Sequence, residues 1–269
     1  MKTNREPVRF STKRHGVTIE ATLRYSPSCF NAHAHYGVAY ADLIESGIRR
    51  VWNTSLTVDE RLALAVARYC RENGLSHGAP EPGETYTVRM VLYRDTKHGM
   101  LYGDGVLPPV RSIPVRLARS TLLPSRVGSP FWRRGWGIFR RFQLESLGLN
   151  WSRRARGRMT MAPYRHIWQI EPVAAHEFGH LMGLGDAYGA IYRYYSAAPG
   201  TDNYLMRSNR ALSSEELAMV FDAQRENRMQ FFPKRFERAQ FKAGFQKEIA
   251  RLKKQLDEAE KKRSKDPSA

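Results

Sequence analysis

The sequence predicts an α+β domain, and three segments carry that prediction. Residues 17–25 (VTIEATLRY) alternate apolar and polar side chains, and residues 86–93 (YTVRMVLY) are rich in β-branched and aromatic side chains, as strands are. Between them, residues 36–52 place apolar side chains three and four positions apart, which is typical of an amphipathic helix. Helices and strands that follow one another without strict alternation favour an α+β fold.

The remaining helices are predicted from signals at their ends. Residues 57–60 (TVDE) and 213–216 (SSEE) are capping boxes, so helices are expected to begin at these two places. Gly74 is placed to end the first of these helices. Pro172 suits the first turn of a further helix, which is expected to run to about Leu184.

Two short segments, residues 110–117 and 158–162, are also predicted to be strands. Pro114 lacks the N–H that a ladder requires, so the first of them is expected to be irregular or at the edge of the sheet. Residues 125–157 are rich in Gly, Pro, Arg and Trp and predict no regular element. Residues 186–206 read as a long irregular loop.

Length and charge predict how these elements are organised. The 269 residues are 42% hydrophobic, enough for one sizeable core, so residues 1–232 are expected to form one domain and residues 233–269 a basic, helix-prone tail. The net charge is +18. An Arg/Trp-rich insertion at residues 111–158 holds twelve arginines and one acid, and residues 234–266 hold twelve basic and six acidic side chains. These two segments therefore carry nearly all of the excess.

The positive charge favours anionic partners such as a membrane surface or nucleic acid. Residues 131–142 (FWRRGWGIFRRF) interleave aromatic side chains with arginines, which suits stacking on nucleic acid, insertion at an anionic membrane, a wall that binds acidic peptides, or a partly buried loop. The charged N-terminus does not resemble a Sec signal peptide, and no run of 18 apolar residues occurs. The protein is therefore expected to be cytoplasmic as synthesised, with any export independent of a signal peptide.

Residues 176–188 (HEFGHLMGLGDAY) carry the pattern that is most informative about chemistry. Side chains four positions apart lie on one face of a helix, so His176 and His180 can bind one zinc ion through their imidazoles. Glu177 lies beside that face, where it can act on a water molecule as the catalytic base without ligating the metal. The pattern therefore predicts a catalytic zinc site.

A catalytic zinc ion takes three protein ligands, so a third one is required. Gly183 can adopt a positive φ and end the helix, after which Asp186 can turn back toward the metal as an oxygen ligand. The alternative is that Asp186 orients a histidine without touching the metal. The hydroxyls of Tyr188 and Tyr204 can stabilise an oxyanion, or they can belong to packed side chains with satisfied hydrogen bonds.

Other candidate ligands have plainer interpretations. His33 and His35 form an HxH pair, which is interpreted as two loop histidines because no carboxylate partner is evident. Residues 102–105 (YGDG) could contribute to a calcium site but are more typical of a simple turn. The two cysteines, Cys29 and Cys70, exclude a disulfide framework and a cysteine-based zinc site, and leave a single bridge open.

The segment after the motif adds a resemblance to a known family. Residues 203–206 read NYLM and precede a capped helical segment, so the chain resembles the metzincin clan of zinc metallopeptidases, in which a methionine-containing turn and a C-terminal helix follow the zinc motif. The pattern HExxHxxGxxD with a tyrosine two residues later, matched by Asp186 and Tyr188, is most similar to the snapalysin family. The resemblance covers about residues 171–222.

The resemblance implies a zincin-like domain with a twisted mixed sheet, an active-site helix and a C-terminal helix. Met206 would form the methionine-containing turn beneath the metal, and an ordinary core methionine is the alternative. An edge strand would line the cleft, and residues 158–163 are the candidate for it. The implied cofactor is Zn2+, and the implied substrate is a protein or peptide.

Motif and resemblance together predict a zinc metalloendopeptidase. The zinc ion would polarise the scissile carbonyl, and Glu177 would take a proton from water and pass it to the leaving amine. One rival is a zinc amidase that acts on cell-wall peptide, and another is a protein that binds an anionic polymer and has a structural zinc site. The charge and the charged N-terminus would suit a bacterial effector or toxin-type protease.

Overall fold

The computed structural model describes the following residues of the chain: 6–95, 112–119, 124–128, 151–188, 195–196, 198–233, 235–236, 246 and 249–250. The chain divides into two compact units, residues 1–185 with 202–231 and residues 186–201 with 232–269. Its described elements are a mixed sheet and several helices, which agrees with the predicted α+β class. The proposed domain boundary at residue 232 stays a prediction.

Seven strands of the described residues form one mixed sheet: β1 (Val8–Lys13), β2 (Gly16–Tyr25), β3 (Thr54–Thr57), β4 (Thr85–Arg94), β5 (Ile113–Leu117), β6 (Arg126–Gly128) and β7 (Arg158–Met161). Their order is β3-β4-β2-β5-β7-β6, and β1 also pairs with β2. The β2–β4, β2–β5 and β5–β7 pairs are parallel, and the β1–β2, β3–β4 and β6–β7 pairs are antiparallel.

Two predictions about strand position are wrong. β5 is an interior strand between β2 and β7, although it contains Pro114. The ladder with β7 begins only at Val115, so the missing N–H of Pro114 interrupts no bond to that strand. The proposed edge strand at residues 158–163 corresponds to β7, which has partners on both sides, and among the described strands β6 takes the outer position.

Five α-helices have both ends among the described residues: α1 (Tyr40–Trp52), α2 (Glu60–Glu72), α3 (Ile167–Met182), α4 (Leu205–Ser208) and α5 (Ser214–Glu226). A 3-10 turn (Pro27–Phe30) follows β2, and the second unit contains the strand pair β8 (Tyr195–Ser196) and β9 (Arg235–Phe236). The chain contains no helix, within its described part, that is long and apolar enough to cross a membrane.

The predicted starts of three helices need correction. α1 begins at Tyr40, because the preceding loop folds back on itself through a bond from His33 N to Val38 O. The N-cap of α2 is Asp59, whose carboxylate accepts from Leu62 N at 2.7 Å, while the predicted cap at position 57 belongs to β3. α3 begins five residues before Pro172, which therefore lies inside the helix.

α1 holds α3 in place through a buried contact. The rings of Trp52 and Phe178 meet edge to face with centroids 5.3 Å apart, and both side chains are fully buried. The Trp52 indole N–H donates to the carbonyl of Ala175 at 3.2 Å. Since Ala175 and Phe178 flank the first histidine of the motif, this packing fixes the helix that carries the candidate site.

The C-terminal end of α3 is held by a second buried contact. The indole N–H of Trp151 and the guanidinium of Arg156 both donate to the carbonyl of Leu181, at 3.2 and 3.1 Å. Arg156 also donates to Gln224 of α5 at 2.6 Å and lies over the Trp151 ring. One of the twelve arginines of the basic segment is therefore buried and unavailable to an anionic surface.

Gly183 ends α3 with φ +98°, and its environment leaves no room for a side chain. An added Cβ would lie 2.7 Å from the Ala223 Cβ and 2.8 Å from the Trp151 ring. We expect Gly183→Ala to lower the free energy of unfolding by roughly 3 kcal/mol, because left-handed strain adds to overpacking. Gly74→Ala is the control, since Gly74 has φ +66° and nothing near its Cβ position, and should lose only about 1 kcal/mol in urea unfolding. Equal losses would contradict the packing argument.

Two segments that the sequence singled out fall outside the described residues. The arginine-rich stretch at residues 131–142 and the YGDG segment at residues 102–105 both lie outside them. Cys29 and Cys70 are buried free thiols, so no bridge joins them.

Candidate metal centre

The two histidines of the motif are oriented by backbone carbonyls. The Nδ1 atom of His176 lies 3.0 Å from the carbonyl oxygen of Leu205, and that of His180 lies 2.8 Å from the carbonyl oxygen of Leu184. A carbonyl oxygen can only accept, so each Nδ1 carries a proton, and in a neutral imidazole this leaves the lone pair on Nε2. In each ring Nε2 is then the nitrogen that can bind a metal. Metal-binding histidines are commonly oriented in this way by a hydrogen bond from their other ring nitrogen.

The histidines lie one helical turn apart and converge. Their ring centroids are 4.9 Å apart, and the ring planes are nearly perpendicular. One candidate ligand atom each from His176, His180 and Asp186 lies within 4.8 Å of the others. This set, two imidazoles and one carboxylate, matches the donors that Zn2+ accepts in catalytic sites.

The turn after α3 makes this grouping local. Gly183 N donates to the carbonyl of His180, and Leu184 N donates to that of Gly179, so the helix closes at Gly183. Leu184 then presents its carbonyl to the His180 ring. The same short segment therefore ends the helix, orients one histidine and leads to Asp186.

Met206 lies beneath the motif helix. Its side chain is fully buried, and its sulfur lies 2.3 Å from the position that a Cβ on Gly179 would occupy. Gly179 lies directly before His180, so the methionine fills the space against the turn between the two histidines. Burial fits both the methionine-containing turn and an ordinary core methionine, so the role of Met206 stays a prediction.

Glu216 is the buried residue whose contribution sequence reasoning missed. It was expected only as the last residue of the SSEE capping box, and that box is confirmed, with Ser213 as N-cap of α5. The carboxylate is 0% exposed and also accepts bonds from the backbone N–H groups of Leu205 and Met206 at 3.3 and 2.7 Å. Burial raises the pKa of the Glu216 carboxyl, and its N–H donors oppose that rise.

The other candidate side chains differ in burial and in their contacts. Glu177 is buried on α3 between the two histidines, and Tyr188 is partly exposed. The Tyr204 hydroxyl donates to Glu215 at 2.9 Å, and burial raises the pKa of Tyr204 to about 12. His33 is buried with its Nε2 2.9 Å from the carbonyl of Tyr164, which agrees with a loop histidine in a structural role.

Comparisons of the chain with models of protein families, with curated proteins and with solved structures found no match.

Proposed function

We propose that the protein is a zinc-dependent endopeptidase with a zincin-like catalytic domain. The observation that carries the proposal is the pair of Nδ1 contacts, which leave Nε2 of His176 and of His180 as the nitrogens that would bind a metal, with a ligand atom of Asp186 within 4.8 Å of theirs. His176, His180 and Asp186 would hold Zn2+. When bound, the ion supplies the Lewis acidity that polarises a peptide carbonyl and makes water a better nucleophile.

The remaining chemistry belongs to the side chains around that set. Glu177 takes a proton from the attacking water and delivers it to the leaving amine, as a general base and then a general acid. Its place next to His176 on α3 supports this role, because the carboxylate can act beside the ligand set without ligating the metal. Tyr188 is the candidate hydroxyl for the oxyanion, and Met206 supports the helix from below.

The number of donors favours a catalytic over a structural zinc site. Structural zinc ions have four protein ligands, whereas the group found among the described residues has three members. An acidic side chain next in sequence to one histidine is what a hydrolase requires and a structural site does not. A zinc amidase would use the same groups, so hydrolysis of an unfolded protein compared with that of cell-wall peptide separates these two enzymes.

We expect the purified protein to contain about one zinc ion per chain, because a catalytic Zn2+ takes three protein donors, the number grouped here. Metal analysis after gentle purification, followed by titration of the metal-free protein with Zn2+, measures this stoichiometry. The control is His33→Ala, which removes a histidine that contacts a backbone carbonyl elsewhere and should leave the zinc content unchanged. A protein that neither retains nor takes up zinc contradicts the proposal.

A further inference from the structure

A buried carboxylate lies behind the first candidate zinc ligand. Glu216 of α5 accepts bonds from the backbone N–H groups of Leu205 and Met206, which open α4. The carbonyl of Leu205 in turn accepts the Nδ1 proton of His176 at 3.0 Å. One residue, Leu205, thus joins the carboxylate on one side to the imidazole on the other.

Helix capping accounts for only half of what Glu216 contacts. Its Oε2 atom accepts from the N–H and the hydroxyl of Ser213, both at 2.9 Å, which completes the capping box. Its Oε1 atom accepts from Met206 N at 2.7 Å, the shortest of its four bonds, and this contact has no part in capping. Oε1 therefore bonds to the turn that faces the motif helix and takes no part in the cap.

A buried carboxylate is costly to desolvate, so its retention requires strong donors around it. Glu216 has these donors, and they bind the start of α5 and the start of α4 to one anion. α4 has only four residues, too few to stabilise itself, so an outside anchor is needed to hold its first residues in one position. That anchor also determines where the Leu205 carbonyl points.

We propose that Glu216 is a positioning residue for the metal centre: by holding the Leu205–Met206 backbone, it fixes the carbonyl that sets the tautomer and orientation of His176. This inference rests on the proposed function for its zinc readout. It deepens that function by assigning a role to a residue that does not touch the ligand set.

The test compares two variants that separate positioning from capping. Glu216→Gln keeps the shape of the side chain but turns an amide NH2 group toward either Met206 N or the Ser213 donors. Ser213→Ala removes the hydroxyl of the cap and leaves the bonds to Leu205 and Met206 intact. Zinc affinity is measured by competition with a chromophoric chelator, and thermal unfolding of each metal-free protein is measured alongside.

We expect Glu216→Gln to bind zinc about 10- to 100-fold more weakly than the parent, the range typical of lost outer-shell partners. Ser213→Ala should lose stability as a cap does and keep parental zinc affinity. Parental zinc affinity in a folded Glu216→Gln protein overturns the inference. An equal loss of affinity in Ser213→Ala overturns it too, because the effect would then come from the helix end.

A second readout requires no metal. Imidazole nitrogen chemical shifts of the metal-free protein report the tautomer of His176, which we expect as Nδ1–H in the parent and as a mixture in Glu216→Gln. If the parent binds no zinc yet shows this change, the proposed function fails and the positioning role stands. If Glu216→Gln does not fold, Glu216→Asp replaces it, since the shorter side chain cannot reach both donor groups. An unchanged His176 tautomer in the folded variant overturns the inference.

Discussion

Glu177→Gln is expected to abolish nearly all peptide hydrolysis and to leave zinc binding intact. The amide keeps the size of the side chain but cannot accept the proton of the attacking water, and general acid–base catalysis contributes about 10²- to 10⁴-fold to the rate. Turnover of an internally quenched peptide and zinc content are measured on the same samples. The expected result is a loss of that order in kcat at unchanged metal stoichiometry, with Glu177→Ala behaving in the same way.

The matched control for this variant is Glu171→Gln, the same substitution on the same helix. The Glu171 carboxylate is held by Arg50 at 2.7 Å and by Ser46 at 2.9 Å, so it belongs to the contact between α3 and α1. Its variant should lose some stability and keep parental turnover per folded, zinc-loaded molecule. Retained turnover in Glu177→Gln, or an equal loss in Glu171→Gln, would remove the role assigned to Glu177.

Asp186→Ala should weaken zinc binding by more than the roughly 10- to 100-fold that loss of an outer-shell partner costs, because one of three donors is removed. Asp186→His should recover part of the affinity, since imidazole is also a good zinc ligand. Chelator competition measures both variants against the parent. The expected order of affinity is parent first, then the histidine variant, then the alanine variant.

Asp202→Ala is the control for a lost carboxylate that is not one of the three candidate ligands. Asp202 is mostly exposed and pairs with Arg207 at 2.6 Å, so its removal should leave zinc affinity unchanged. An Asp186→Ala protein that binds zinc as tightly as the parent would show that the third donor lies elsewhere. Asp186 would then orient a histidine without touching the metal, which is the alternative that the sequence also allows.

Local spacing was enough to predict the candidate ligand set. His176 and His180 share a helix face because of the helical repeat, and Gly183 ends the helix because only glycine adopts its φ without strain. The capping box at Ser213 was predictable for the same reason, since its two bonds join residues three positions apart. Each of these features depends only on residues that are close in sequence, so it can be predicted from the sequence.

Element boundaries were less predictable where two local signals competed. TVDE reads as a capping box, yet Thr57 pairs with Thr85 in the sheet and Asp59 becomes the cap. β6 was missed because its three residues are too short for a pattern, and its antiparallel place beside β7 comes from pairing over about 30 residues of chain. In these cases a long-range partner decided between conformations that the local sequence allowed.

By itself, then, the sequence determined which residues can meet around a metal: two histidines four positions apart, and an aspartate beyond a helix-ending glycine. Only the tertiary structure decided how those residues are presented. The tautomer of His176 depends on the carbonyl of Leu205, 29 residues further along the chain, and Leu205 is in turn held by the buried carboxylate of Glu216. Such hydrogen bonds form only after folding has brought separate helices together, so no spacing within one segment can encode them.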